Sequence, residues 1–429
     1  MNNHFLIKQI RGSISVPGDK SISHRAVMLS SLATGTVRIE NLLESEDVLN
    51  TVKIFQQCGI EIKKIEKNYY INGKGLFGLS EAGHILDVGN SGTTLRLMCG
   101  ILSGQNFYSV LTGDDSILKR PVKRIIRPLQ KMNIRIFSRM DNGYPPVTIL
   151  PSSQIKSIKY ELPVASAQVK SAILFAGLYS KKKVIIIEKT DTRDHTERMF
   201  QYFNIPLKKN KEQIILNNRQ MPFQGRDIFI PGDFSSASYF IVGALLAPAS
   251  KITINDLSLN PTRIGLFNVL RRMGAKINLS NIRKKNNEEI GTVSASSSEL
   301  KGTGINPEEI PLLIDEIPIL SIAALKAKGF TVLKGAGELR VKESDRIRSI
   351  VENLKVLGAN IRERDDGFII NGEKELKEKK LIKTYKDHRI AMSFIMASSL
   401  LKKGIIIEEI DSIKTSFPSF IKLLNKVNQ

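Results

Sequence analysis

The chain has 429 residues, 41% hydrophobic and 25% charged, with 64 Lys and Arg against 42 Asp and Glu, a net charge of +22, two cysteines and no tryptophan. This composition excludes a disordered chain, and the length is too great for one simple core, so two or three domains are expected. Cys58 and Cys99 form no CxxC pair, which leaves a disulfide framework or a cysteine-held zinc nothing to build on, and no apolar run is long enough to span a membrane. The residues up to Arg11 carry no apolar stretch with a cleavage site, so a reducing cytoplasm is expected. The cationic excess suits anionic substrates or solubility as well as nucleic acid, but its lysine runs, such as the one at 181–183, lack aromatics for base stacking.

Residues 12–16 alternate and predict a strand. After them one pattern occurs six times: a polar opening, an apolar helical run ending in small residues, a turn, and a β-branched strand. The helices open at Ser21, Ser91, Ser166, Ser235, Asp315 and Asp387, and the turns fall at Gly35, Gly104, Lys181, Ser250, Gly329 and Gly404. The spacing is roughly 70 to 80 residues. Amphipathic helices follow most of these strands and end at Gly59, Asn133, Asn204, Gly274 and Gly358, residues suited to a left-handed C-cap, and each is followed by a strand or strand pair.

The pattern predicts an α/β fold of six units, each reading helix, strand, helix, strand, strand. Two sets of three divide near residues 229–233. One domain is expected over 21–230 and a second over 1–20 plus 231–429, completed by the N-terminal strand, with crossovers near 20 and 230.

Helix N-termini are anion sites, and several here stand beside cations: Lys20 and Ser21 with Arg25, the Gly89-Asn-Ser-Gly92 start with Arg96, and Asp387 with Lys386 and Arg389. Ordinary N-capping explains any one of them, whereas the repetition beside Lys and Arg favours an anionic ligand. The GxGxxG match at 73–78 opens no helix, which argues against a dinucleotide, and five histidines without paired spacing argue against a metal. Lys342 and Arg346 are expected on one helix face, as a phosphate or carboxylate site would use them. Asp315 opens the fifth helix in apolar surroundings, as an N-cap or a general base.

Pro17-Gly-Asp-Lys-Ser-Ile-Ser-His-Arg25, Gly89-Asn-Ser-Gly-Thr-Thr-Leu-Arg96, Ser166-Ala-Gln168, Arg193-Asp-His-Thr-Glu197, Arg340-Val-Lys-Glu-Ser-Asp-Arg346 and Asp387-His-Arg389 resemble the motifs of the 5-enolpyruvylshikimate-3-phosphate synthases, within the enolpyruvyl transferase family. The motifs stand in the family's order along nearly the whole chain. The resemblance implies two similar domains, each of three βαβαββ repeats in an inside-out α/β barrel, closing like a clamp with hinges near 20 and 230. It implies transfer of the enolpyruvyl group of phosphoenolpyruvate to the 5-hydroxyl of shikimate 3-phosphate, with no metal or organic cofactor, in a cytoplasmic monomer.

Carried over, the family's shikimate 3-phosphate site falls on Lys20, Ser21, Arg25, Ser166, Ala167, Gln168, Arg193, Asp315 and Lys342. Its phosphoenolpyruvate site falls on Lys20, Asn90, Gly92, Arg120, Gln168, Arg346 and Arg389. Asp315 would be the base at the hydroxyl, with Glu343 and Lys20 handling protons at the enolpyruvyl group. Glu338 stands where many relatives carry Asn, Ala167 replaces a second Ser, and Thr415 takes the place of a ligand-binding Lys, with Lys414 one residue away. The alternatives weighed are the related transferase acting on UDP-N-acetylglucosamine, which typically uses a loop Cys, and a nonenzymatic nucleic-acid-binding protein.

Overall fold

The computed structural model describes residues 3–152, 154–378 and 380–429. The first helices of the repeats run Lys20–Leu32, Gly92–Leu102, Ala167–Gly177, Phe234–Leu246, Ile317–Leu325 and His388–Ala397. Every residue of Phe234–Leu246 and of Ile317–Leu325 is buried. A helix apolar on all sides has no face to offer water and becomes a core element.

The second helices, Glu46–Gln57, Lys123–Lys131, His195–Tyr202, Gly265–Arg272 and Arg346–Val356, bury a single stripe, as in Val48, Val52 and Phe55 of the first. They end where Gly59, Asn133, Asn204, Gly274 and Gly358 adopt φ of 83°, 64°, 58°, 87° and 80°. Only glycine, or asparagine at small cost, takes that left-handed conformation readily.

Five repeats each form a four-stranded sheet around the strand that follows the first helix. That strand has an antiparallel hairpin on one side and a parallel strand on the other. Val184–Ile187, for example, lies between Lys159–Glu161, parallel to it, and Gln213–Leu216, which leads to Leu207–Asn210. Thr34–Glu40 takes its parallel neighbour from Ile228–Phe229, and Lys251–Ser258 takes its own from the N-terminal strand Arg11–Ser15. The sixth sheet has three strands, with Ile405–Ile407 between Leu381–Ile382 and Asn3–Phe5. The helix Phe420–Val427 follows where other repeats have a hairpin.

The chain divides into two compact units. One comprises Gly18–Ile230 with the hairpin tip Lys285–Glu288, and the other comprises the chain up to Pro17 with Pro231–Lys284 and Glu289–Gln429. Each has its own apolar core. Met28, Leu97 and Ile173 from three first helices meet in the former core, and Phe240, Ile322 and Phe394 in the latter.

Two placements correct the sequence reading. Asp315 does not open a helix: it stands in a turn between Ile310–Leu313 and Ile317–Leu325, whose cap position is Glu316. Pro318 has no N–H to give the carbonyl of Ile314, so the helix restarts there. Lys342 does not share a helix face with Arg346. It follows a 3-10 turn over Gly337–Val341 in extended conformation, and the helix begins at Arg346 because Asp345 accepts the N–H of Arg348 at 3.0 Å.

Candidate functional site

In the 18–230 unit, Asp19 caps the first helix by accepting the N–H of Ile22 at 2.9 Å. This fixes Lys20 and Ser21 at the helix start. The ammonium of Lys20 is ion-paired with Asp47. Arg25, one turn on, is buried and donates to Ser21 O (2.9 Å), Thr196 Oγ1 (2.6 Å) and Ser171 Oγ (2.9 Å). Burial is the main cause pulling the Arg25 guanidinium down to about 10, and the nearby Arg193 adds to it against Glu197 and Asp19. It therefore stays charged at neutral pH.

Behind Thr196 and Ser171 lies a buried ionic cluster. Lys170 Nζ sits 2.9 Å from Glu188 and 2.7 Å from Glu197, whose carboxyl is raised by burial despite that lysine.

Asn90, Gly92 and Arg120 gather at the start of Gly92–Leu102, which Ser91 caps. Asn90 Nδ2 donates to Asp114 Oδ2 at 2.6 Å, which turns its Oδ1 toward Arg120 NH2 at 2.8 Å. A Cβ on Gly92 would stand 2.6 Å from Arg96 NH1 and 3.1 Å from Arg120 NH1, so a side chain there would require these guanidinium groups to shift. Gln168 donates to Thr93 Oγ1 at 3.3 Å, bringing the Ser166-capped helix, with Ala167 as its first residue, beside the same start. His24 Nδ1, Thr51 and Thr94 form a chain of 2.7 Å contacts, and Thr94 Oγ1 donates to Ser91 Oγ at 2.6 Å. Burial, reinforced by Lys20 and Arg25, holds the His24 imidazole well below its ordinary value and hence neutral.

In the other unit the centre is Asp315. Arg346 NH1 lies 3.5 Å from its Oδ1, Arg389 NH2 and Arg263 NH1 lie 3.7 and 3.8 Å from its Oδ2, and Arg389 NH1 donates to its backbone oxygen at 3.1 Å. Arg346 also donates to Glu343 at 2.6 Å and to Asp387 at 2.8 Å. Burial disfavours the charges of Arg346 and Arg389, but Asp387 and Glu343 around the first and Asp315 beside the second more than offset it and hold both above the usual arginine value. Lys342 is pulled below the usual lysine value, with burial outweighing Glu338 and Asp315; its Nζ is 3.7 Å from Glu338. Lys414 is ion-paired with Asp411 at 2.9 Å, and Thr415 Oγ1 donates to Ser412 O at 2.7 Å.

Each unit thus assembles its share of the sequence-derived candidates: Lys20, Ser21, Arg25 and Arg193 around one helix start and Asn90, Gly92, Arg120 and Gln168 around another, with Asp315, Lys342, Glu343, Arg346 and Arg389 in the second unit. Sequence reasoning missed the side chains that hold them, namely Asp47, Asp114, Ser171, Thr196 and Arg263. Each meets its partner from a distant part of the chain, and apart from Thr196 none stands in a quoted motif. Cys58 and Cys99 are buried, their thiols pushed to about 11 and about 12 chiefly by burial, so neither is poised as a nucleophile. Among the described residues, no group of His, Cys, Asp and Glu is placed to hold a metal ion, and no helix is long and apolar enough to cross a membrane.

Residues 6–424 match the family model of EPSP synthase (3-phosphoshikimate 1-carboxyvinyltransferase). The chain is 47% identical to the 3-phosphoshikimate 1-carboxyvinyltransferase of Petrotoga mobilis over 421 residues, covering 98% of each. It is 42% identical to that of Bacillus subtilis, over 99% of this chain and 98% of the relative. The solved EPSP synthase of Acinetobacter baumannii superposes with a TM-score of 0.89 at 40% identity, covering 100% of this chain and 98% of that one. The enolpyruvyl transferase NikO of Streptomyces tendae, at 13% identity and a TM-score of 0.79, shares the fold over 99% of this chain and 97% of its own.

Proposed function

Because the chain belongs to the EPSP synthase family over residues 6–424, we propose that it transfers the enolpyruvyl group of phosphoenolpyruvate to the 5-hydroxyl of shikimate 3-phosphate and releases phosphate. The full-length family match carries this reading, and the basic groups at the helix starts agree with it. The chemistry forms a bond from the hydroxyl oxygen to C2 of phosphoenolpyruvate and breaks the bond from C2 to the phosphate oxygen. The product keeps its double bond, so a proton added to the methylene carbon must later leave it. The hydroxyl proton must also be accepted.

Asp315 is the carboxylate we assign to accept the hydroxyl proton, and Glu343 and Lys20 are assigned to the methylene proton. Glu343 accepts from Arg346 at 2.6 Å. Lys20, Ser21, Arg25, Ser166, Ala167, Gln168, Arg193, Asp315 and Lys342 are the proposed contacts of shikimate 3-phosphate. Lys20, Asn90, Gly92, Arg120, Gln168, Arg346 and Arg389 are those of phosphoenolpyruvate. Fixed guanidinium groups suit this work, since donors already in place stabilise developing charge without reorganising, and bidentate geometry matches phosphate and carboxylate. The test mixes purified protein with both substrates and follows inorganic phosphate. Release that requires both substrates is expected, and its absence with folded protein would overturn the reading.

A further inference from the structure

Asp315 is surrounded by three arginines, and they differ in what else they can do. Arg346 and Arg389 are the two proposed above to bind phosphoenolpyruvate, and Arg346 is already shared with Glu343 and Asp387. Arg263 is only 2% exposed. It comes from the turn Asn260-Pro-Thr-Arg263, in which Asn260 Oδ1 accepts both the N–H and the hydroxyl of Thr262 and the Arg263 N–H donates to Asn260 O at 2.8 Å. Its NH2 donates to Ser235 Oγ at 2.5 Å, and Ser235 in turn donates to Glu316. The same NH2 lies 3.7 Å from Glu316 and 3.8 Å from Asp233, while NH1 faces Asp315 at 3.8 Å.

We propose that Arg263 is a positioning residue for the Asp315 carboxylate: of the three arginines around this acid, it is the one not also assigned to phosphoenolpyruvate, and it holds the carboxylate oriented. The inference rests on the assignment of Asp315 as base. A buried guanidinium braced by a hydroxyl and by two further acids cannot swing out to a substrate, so its charge stays with the carboxylate. The charged groups near Asp315 include Arg263, Arg346, Arg389 and Lys342, and Glu316, next to it in the chain, faces Arg263. A carboxylate that loses one of three cations holds its proton more tightly, so the acid limb of turnover moves to higher pH.

The experiment compares full-length wild type with Arg263→Gln, Arg263→Lys and Ser235→Ala. Phosphate release is measured across pH, and the Asp315 carboxyl is followed by carbon-13 NMR, assigned with Asp315→Asn. Arg263→Gln is expected to lower kcat by about ten- to a hundredfold with both KM values within about threefold of wild type. It should shift the acid limb and the carboxyl titration up by about one pH unit. Arg263→Lys should recover most of the loss. Should Arg263→Gln fail to fold, Ser235→Ala, which removes only the brace, should lower kcat by a few-fold with a smaller shift in the same direction. An unchanged kcat and acid limb in a folded Arg263→Gln, or in Ser235→Ala when that variant alone folds, overturns the inference, as does a rise in KM with kcat intact. Wild type that releases no phosphate would instead sink the assigned reaction, while the NMR titration still decides whether Arg263 sets the Asp315 carboxylate.

Discussion

At the scale of single residues, acids more than offset burial around Arg346 and Arg389, whereas burial prevails at Arg25 and Lys342. Asp315 keeps some access to solvent, with its side chain 16% exposed and three guanidinium groups within 3.8 Å, which suits an acid that must exchange a proton. Asp315→Asn retains the shape and removes the base, so kcat should fall at least about a hundredfold with KM changed by less than about threefold. A kcat within twofold of wild type would reject the role. His24 gives a prediction about stability. Its folded value lies well below the ordinary 6.5 because it is buried beside Lys20 and Arg25, so below that pH the unfolded chain takes up a proton that the folded chain refuses. Stability then falls as pH drops from about 6.5 toward the folded value, by up to about 1.4 kcal/mol per pH unit. Urea unfolding of His24→Asn should show a shallower loss over that range than wild type, and equal slopes would contradict it. The identities of Lys20, Arg25, Asn90 and Arg389 were legible from motifs, because these residues are contiguous with helix starts. Ser171 and Arg263 were not, and the motif that contains Thr196 did not announce its bond to Arg25, because the sequence does not say which distant hydroxyl or acid will meet a given guanidinium.

At the scale of elements, helix starts position the chemistry. Asp19, Ser91, Asp233, Asp345 and Asp387 each accept a backbone N–H at the head of a helix, and the side chains next to them inherit a fixed direction. Gly92 lies at one such head, where an added methyl would meet Arg96 and Arg120. Gly92→Ala should therefore displace the guanidinium groups and raise KM for phosphoenolpyruvate by about tenfold while kcat changes less, as steady-state kinetics would record. A KM equal to wild type would mean that neither arginine is held by that contact. Most first and second helices were legible from capping residues and C-terminal Gly or Asn. The exceptions, the turn at Asp315 and the extended Lys342, arose where Pro318 removed a hydrogen bond and where Asp345 supplied a better cap than the residues before it.

At the scale of the whole molecule, the +22 charge bears on how anions arrive. Raising salt from about 0.05 M to about 0.5 M screens such a field, so kcat/KM for each anionic substrate should fall several-fold while the thermal midpoint changes little. An unchanged kcat/KM would assign the excess cations to solubility alone. The six repeats and the α/β class were determined by the sequence itself, because each repeat is a local pattern: an apolar helix, a turn and a β-branched strand within roughly 70 residues. The family's motifs were equally local. Only the tertiary structure decided that Ile228–Phe229 returns to pair with Thr34–Glu40, that Asn3–Phe5 supplies the third strand of the last sheet, and that Arg263 reaches Asp315. Those contacts join residues separated by dozens to hundreds of positions. They are selected by which edges and buried charges remain unsatisfied once the local elements have formed, and no local pattern records that selection.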